Sequence, residues 1–173
     1  MTGTVDRPSP SEYNPHYEQY IRLVPEKDVI STLKQQESEY VEFFQSIPES
    51  QGQHAYEPGK WTIKEVIGHI IDTERIMAYR ALWFARNDQA PLPGFEQDDF
   101  MRYSNFNNVS IADLAAEFSH LRKSNVYMFE GFGDDVWERT GVASNNKVTV
   151  RALAYIVAGH VAHHAQILRA KYL

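Results

Sequence analysis

The stretch "AGHVAHHAQIL" at 158–168 seats His160, His163 and His164 among apolar residues near the end of the chain. Imidazole in such a setting does one of two things. It binds a metal ion through a neutral ring nitrogen, or it joins a hydrogen-bonded network in a core. On a helix turning about 100° per residue, His160 and His164 lie about 40° apart and share a stripe with Leu153, Val157, Ile167 and Leu168. His163 falls about 60° to the other side of His160, on the flank toward Ile156. An i, i+4 pair lets both rings reach one ion. His69 offers a third ring, about two turns into another helix, at the edge of an apolar stripe beside Val66 and Ile76. Two imidazoles from one helix and one from another make a face with an open position, as catalytic zinc requires. Spacing is equally compatible with a core network, since the order of helices around a bundle is not written in it.

Related metal chemistries do not fit these residues. "HVAHH" has Val161 where a zincin H-E-x-x-H places its glutamate, and His163 where H-x-x-E-H places its own. The helix therefore carries no built-in general base. Glu117 and His120 form one E-x-x-H, but a di-iron bundle needs two such motifs and two further glutamates. Both read as solvent-facing, and His16 and His54 read as surface or loop residues. The groups left to move protons are His163 and two loop acids, Asp98 and Asp99. Glu65 and Asp72 flank His69 as possible partners for its ring, but a capping role draws Glu65 and solvent draws Asp72.

Four helices must position these groups. The first follows Pro25 and carries Val29, Ile30, Leu33, Tyr40, Val41, Phe44 and Ile47, with Gln36 and Glu37 interrupting the stripe. The second opens on "WTIKEV", a capping box of Thr62 and Glu65 inside a Trp61–Val66 staple, and fades at Asn87-Asp88. The third opens on Ser110 and Asp113 and ends at Gly131 and Gly133. The fourth starts near Thr149 and runs to the C-terminus. No segment alternates with period two over a strand length, so the expected class is all-α, a four-helix bundle with long connections. The longest, 88–108, is expected to border the histidine pocket as a wall carrying acids and aromatics. Residues 1–20 read as a loose segment or one draped over the surface, and 21–173 as a single bundle domain.

Composition narrows the function further. The chain has 173 residues, 43% of them hydrophobic, and 17 basic against 23 acidic side chains for a net charge of −6. That balance argues against nucleic acid as a partner. The absence of cysteine excludes disulfides, thiolate nucleophiles and cysteine-ligated zinc. No apolar run approaches the roughly 18–20 residues that span a bilayer, and no secretory leader is seen, so the expectation is a cytoplasmic protein without membrane partners.

From "YIRLVPEKDVISTL" to its C-terminus the sequence resembles the DinB/YfiT-like superfamily. The resemblance is carried by "GKWTIKEVIGHIIDTE" at 59–74, "PGFEQDD" at 93–99 and "AGHVAHHAQIL". It implies a bundle with an up-up-down-down arrangement and a metal triad that maps onto His69, His160 and His164. It also implies a divalent ion, zinc or nickel before iron or manganese. Relatives with assigned activities include transferases and isomerases dependent on small thiols such as bacillithiol and mycothiol. The expectation is then a metal-dependent enzyme that activates a small thiol or water for transfer to, or hydrolysis of, a small-molecule substrate. The competing expectation is a non-catalytic metal- or ligand-binding bundle, and a homodimer is the assembly to test for.

Overall fold

The computed structural model describes residues 4–25 and 28–173. Four long helices form the body: α2 (Val29–Ser46), α3 (Ile63–Ala85), α5 (Ile111–Glu130) and α6 (Val150–Ile167). Two short ones join them, α1 (Glu18–Ile21) and α4 (Gln97–Arg102), together with a hairpin of β1 (Thr140–Ala143) and β2 (Asn146–Thr149). The capping signals act as read. Thr62 accepts from the Glu65 amide while Glu65 accepts from the Thr62 amide, and Ser110 accepts from the Asp113 amide. Helix α2 is capped by Asp28, so Val29 rather than Pro25 opens it; Glu26 and Lys27 lie outside the described residues.

Polar contacts between helices reveal their directions. Along α2 and α5, Lys34 pairs with Glu130, Glu37 with Lys123, and the Ile111 amide with Glu49 just past the end of α2, so these two run antiparallel. Along α3 and α5, Glu65 meets Asn107 and Arg75 meets Glu117, so these run parallel. Along α3 and α6, Tyr172 meets the Trp61 carbonyl, His69 meets His160, and the Ala85 carbonyl meets Arg139 before the hairpin, so these run antiparallel. In chain order the helices go up, down, down, up. Around the bundle, α6 and α2 point one way and their neighbours α5 and α3 the other, which is the up-up-down-down arrangement.

The core is divided by a buried polar layer. Arg122 on α5 is fully buried, and its guanidinium makes two parallel hydrogen bonds to Glu74 on α3, both 2.8 Å. Asn125 donates to the same carboxylate at 3.1 Å. Arg122 also donates to the Gln36 side-chain carbonyl on α2 at 3.1 Å, and Gln36 donates to the Ala158 carbonyl on α6 at 2.9 Å. Four helices thus share one network. Gln36, which looks like a break in an apolar stripe, is one of its junctions.

One feature departs from the sequence reading. Residues 140–149 form a hairpin where helix-only periodicity suggested none. Its turn is Ser144-Asn145, with φ of 51° and 62°, the left-handed pair that a tight two-residue hairpin requires. The segment over 1–20, read as loose or draped over the surface, packs on the bundle from Val5 onward; Met1 to Gly3 lie outside the described residues. Val5 and Tyr13 are buried, Tyr155 donates to the Val5 carbonyl, and Glu12 takes a bidentate pair from Arg151 at 2.7 Å. Gly159 lets this strap approach: a Cβ there would sit 2.1 Å from the Tyr20 carbonyl oxygen, a backbone atom with little room to yield. The 88–108 connection contains α4 and a short 3-10 turn at Phe106–Asn108. Among the described residues no helix is long and apolar enough to cross a membrane.

Breaking a buried ion pair leaves an uncompensated charge, whereas replacing both partners removes the charge problem altogether. Arg122→Met is expected to lower unfolding stability by about 3–5 kcal/mol. The double variant with Glu74→Met should recover much of that loss. Urea unfolding of wild type, both single variants and the double variant checks this; equal losses in single and double variants would contradict it.

Candidate metal centre

The N-terminal part of α3 and the middle of α6 bring three imidazoles together. His69 lies about two turns past Thr62, the N-cap of a capping box whose Glu65 carboxylate is shared with the Asn107 amide at 3.0 Å. The capping role thus occupies Glu65 and keeps it from the His69 ring. Asp72 turns to Arg75 at 3.5 Å. The group that does reach His69 is Thr73, one turn on, whose hydroxyl lies 3.5 Å from Nδ1. Trp61 packs against the ring at a tilt, its centroid 4.8 Å away.

His69 Nε2 stands 3.1 Å from His160 Nε2. One ring nitrogen from each of His69, His160 and His164 falls within 4.8 Å of the others. Ring centroids are 4.9 Å apart for His69 and His160, 4.8 Å for His69 and His164, and 4.5 Å for His160 and His164. His69 and His160 are buried; His164 is half-buried and faces a cavity. Among the described residues no carboxylate joins this cluster.

Burial sets the charge state of all three. It lowers the His69 pKa from 6.5 to about 4. It holds His160 well below its ordinary value, with His164, His69 and His163 adding repulsion, and it depresses His164, with His69 and His163 adding to it. Neutral imidazoles with converging nitrogens are the protonation state that metal binding needs. One separation also matches that of two ligands on one ion. Two nitrogens at about 2.0–2.1 Å from one tetrahedral ion stand about 3.3 Å apart, close to the His69–His160 separation.

The remaining candidates divide. Asp98, on α4, lines the same cavity as His164, a space of about 330 Å³ that Trp61, Tyr56 and Tyr172 also wall. The 88–108 connection therefore borders the cavity that His164 lines. Asp99 turns away to Arg102 at 3.2 Å and is absent from that wall. His163 stands outside the cluster, half-buried, with its ring 5.1 Å from both His164 and Tyr20. Burial lowers its pKa, with Arg22 adding to the effect. Tyr20 was not evident as a site residue: its ring edge packs on His160 at 5.3 Å, delivered by the strap that Gly159 admits. Thr73 had a signal, its i+4 spacing from His69.

The comparisons agree with this architecture. No curated protein matches the chain in sequence. Among solved structures, YfiT from Bacillus subtilis, described as a probable metal-dependent hydrolase with an unusual four-helix bundle topology, is 18% identical with a TM-score of 0.60, over 94% of this chain and 91% of that one. A mycothiol-dependent maleylpyruvate isomerase is 14% identical with a TM-score of 0.66, over 80% of this chain; the match spans 58% of the isomerase chain. At such identities the likeness is one of fold. The family model of the DinB superfamily matches residues 32–168, from within α2 to the end of α6. The chain belongs to the DinB superfamily.

Proposed function

We propose that the protein is a divalent-metal-dependent enzyme whose ion is held by His69, His160 and His164 and which activates a small thiol or water for transfer or hydrolysis. The observation that carries this reading is the convergence of three imidazoles from two helices, two buried and one half-buried, with no acid among them, at the end of a cavity. A bound divalent ion supplies Lewis acidity and lowers the pKa of a thiol or water beside it. The protein's own groups do the rest. Burial keeps the ligand rings neutral, Thr73 orients His69, and Trp61 excludes water from one side of it. Asp98 on the cavity wall is the group placed to accept a proton from an incoming nucleophile, with His163 on the flank as the second candidate. Asp99, paired with Arg102, acts at most through the position of α4. With no cysteine in the chain, the nucleophile comes from a cosubstrate or from water.

The solved relatives support the class. One is described as a probable metal-dependent hydrolase and another uses mycothiol. An all-nitrogen set of three neutral ligands with an open side favours zinc or nickel over the harder ions.

Elemental analysis of protein purified without a histidine tag should find about one divalent ion per chain. His160→Ala should remove most of it, and His163→Ala should leave most of it, because His163 stands outside the cluster. Equal loss in the two variants would move the ligand assignment to His163. Metal without turnover on thiol-acceptor or hydrolysable substrates would point to the binding bundle instead.

The metal should stabilise a fold that stands without it, since the bundle has its own core. A ligand specific to the native state adds about 4 kcal/mol at a thousandfold excess over Kd. Chelated protein should keep its helical circular dichroism and melt earlier. Its stability should also depend on pH with a definite sign. In the metal-free protein His69 titrates at about 4 when folded, and near its ordinary 6.5 when unfolded. Between those values the unfolded chain binds more protons, so stability is full above about 6.5 and is lost as pH falls toward 4. His69 alone contributes a loss on the order of 3 kcal/mol. Denaturant unfolding of chelated protein across this range checks it; a flat profile would mean that the rings are not buried as neutral groups.

A further inference from the structure

A second cavity, of about 400 Å³, opens between α3 and the 92–100 segment. None of the three clustered histidines lines it. Its wall is mostly apolar, with Ile76, Tyr79, Leu92, Phe95 and Phe100. Phe95 and Phe100 form an aromatic pair, 5.1 Å between ring centroids. A space of this size and lining takes a small organic molecule.

One wall residue does not match the rest. Arg80 is 3% exposed, and among the described residues no carboxylate pairs with its guanidinium. It donates to the Pro93 carbonyl at 2.8 Å, to the Ser144 hydroxyl at 3.0 Å, and to the Met77 sulfur at 3.7 Å; its Cζ stands 6.0 Å from the Phe95 ring centroid. Burial disfavours its charge, and Tyr17 is the neighbour that favours it. The other buried arginine among the described residues, Arg122, has its acid in Glu74. Arg75, also on this wall, is already paired with Glu117 at 2.6 Å. A buried cation held only by neutral acceptors is costly and keeps a strong preference for an anion. Guanidinium matches a carboxylate in shape as well as charge.

We propose that this cavity binds the carboxylate end of an apolar organic acid, with the carboxylate on Arg80 and the hydrocarbon or aryl body against Ile76, Leu92 and Phe95. The placement also names a substrate class for the candidate centre. Ile76 and Arg80 follow His69 on one stripe of α3, about 10 Å and 16 Å along its axis, so an acid anchored at Arg80 extends toward the histidines. Only that last step, from ligand to substrate, rests on the metal-enzyme reading. The segment that carries Phe95 and Phe100 also carries Asp98, which faces the histidine cavity, so one connection walls both spaces.

Isothermal titration of the full-length protein with 4-phenylbutyrate, octanoate and the uncharged 4-phenylbutanamide tests the site. The acids should bind at least about tenfold more tightly than the amide, the discrimination expected when a charged hydrogen-bond partner is lost. Arg80→Met should abolish that preference. Because Arg80 also ties Pro93 to Ser144, Ile76→Trp is the second probe: it fills the cavity, leaves Arg80 in place, and should weaken acid binding by at least tenfold. Equal binding of acid and amide, unchanged binding by Ile76→Trp, or no binding of either acid at millimolar concentration would overturn the proposal. Chelation separates it from the metal reading. Acid binding that survives chelation supports the Arg80 site whether or not the metal reading stands, and binding that disappears with the metal puts the carboxylate on the histidines and overturns it.

Discussion

The bundle is organised around a charge pair that water does not reach. Arg122 and Glu74 face each other at the centre of the helices, and each is affordable there only because the other, with Gln36 and Asn125, satisfies its hydrogen bonds. A purely apolar layer would tolerate sliding and rotation of one helix on another. A bidentate guanidinium–carboxylate pair does not, because its two parallel bonds fix both distance and angle. The extension through Gln36 to the Ala158 carbonyl brings α6 into the same register.

That register is what places the histidines. Glu74 follows Thr73, the partner of His69, and Ala158 precedes His160 by less than one helical turn. The polar layer and the imidazole cluster are thus successive layers of one core, one holding permanent charges and the other neutral rings. The difference comes from the partners. Arg122 and Glu74 compensate each other, while three imidazoles without an acid lose their charge to desolvation and repulsion and keep their lone pairs available.

Around this core the less regular segments act as walls. The strap of residues 4–24 covers α6 and brings Tyr20 onto His160; Arg151 anchors it through Glu12. The hairpin holds the 88–108 connection from the other side, since Leu92 donates to the Val142 carbonyl on β1 and accepts from the amide of Ser144 in the turn. Gly141 lies flat on Phe84, which seats the hairpin on the end of α3. The loop that carries Phe95, Asp98 and Phe100 is therefore tied down at its start, and its side chains face two cavities from a supported backbone.

The helices and the histidine phases were legible in the sequence because both are local. A capping box is complete within four residues, and the bearing of His160 relative to His163 and His164 follows from helical pitch alone. Motif resemblance added the pairing of His69 with the last helix, which pitch does not contain. The Arg122–Glu74 pair left a trace, since Arg122 sits at helical spacing between Phe118 and Phe129, but a charged residue in that phase acquires meaning only when another helix delivers its counter-ion. The hairpin was hidden by four-residue strands and a Ser-Asn turn, a weaker signal than Asn-Gly. The order of helices, the fixing of the strap through Gly159, and the setting of Arg80 beside an apolar cavity were decided by tertiary structure. Each depends on contacts between residues far apart in the chain, whose free energy comes from burial, and burial does not exist until the elements have packed.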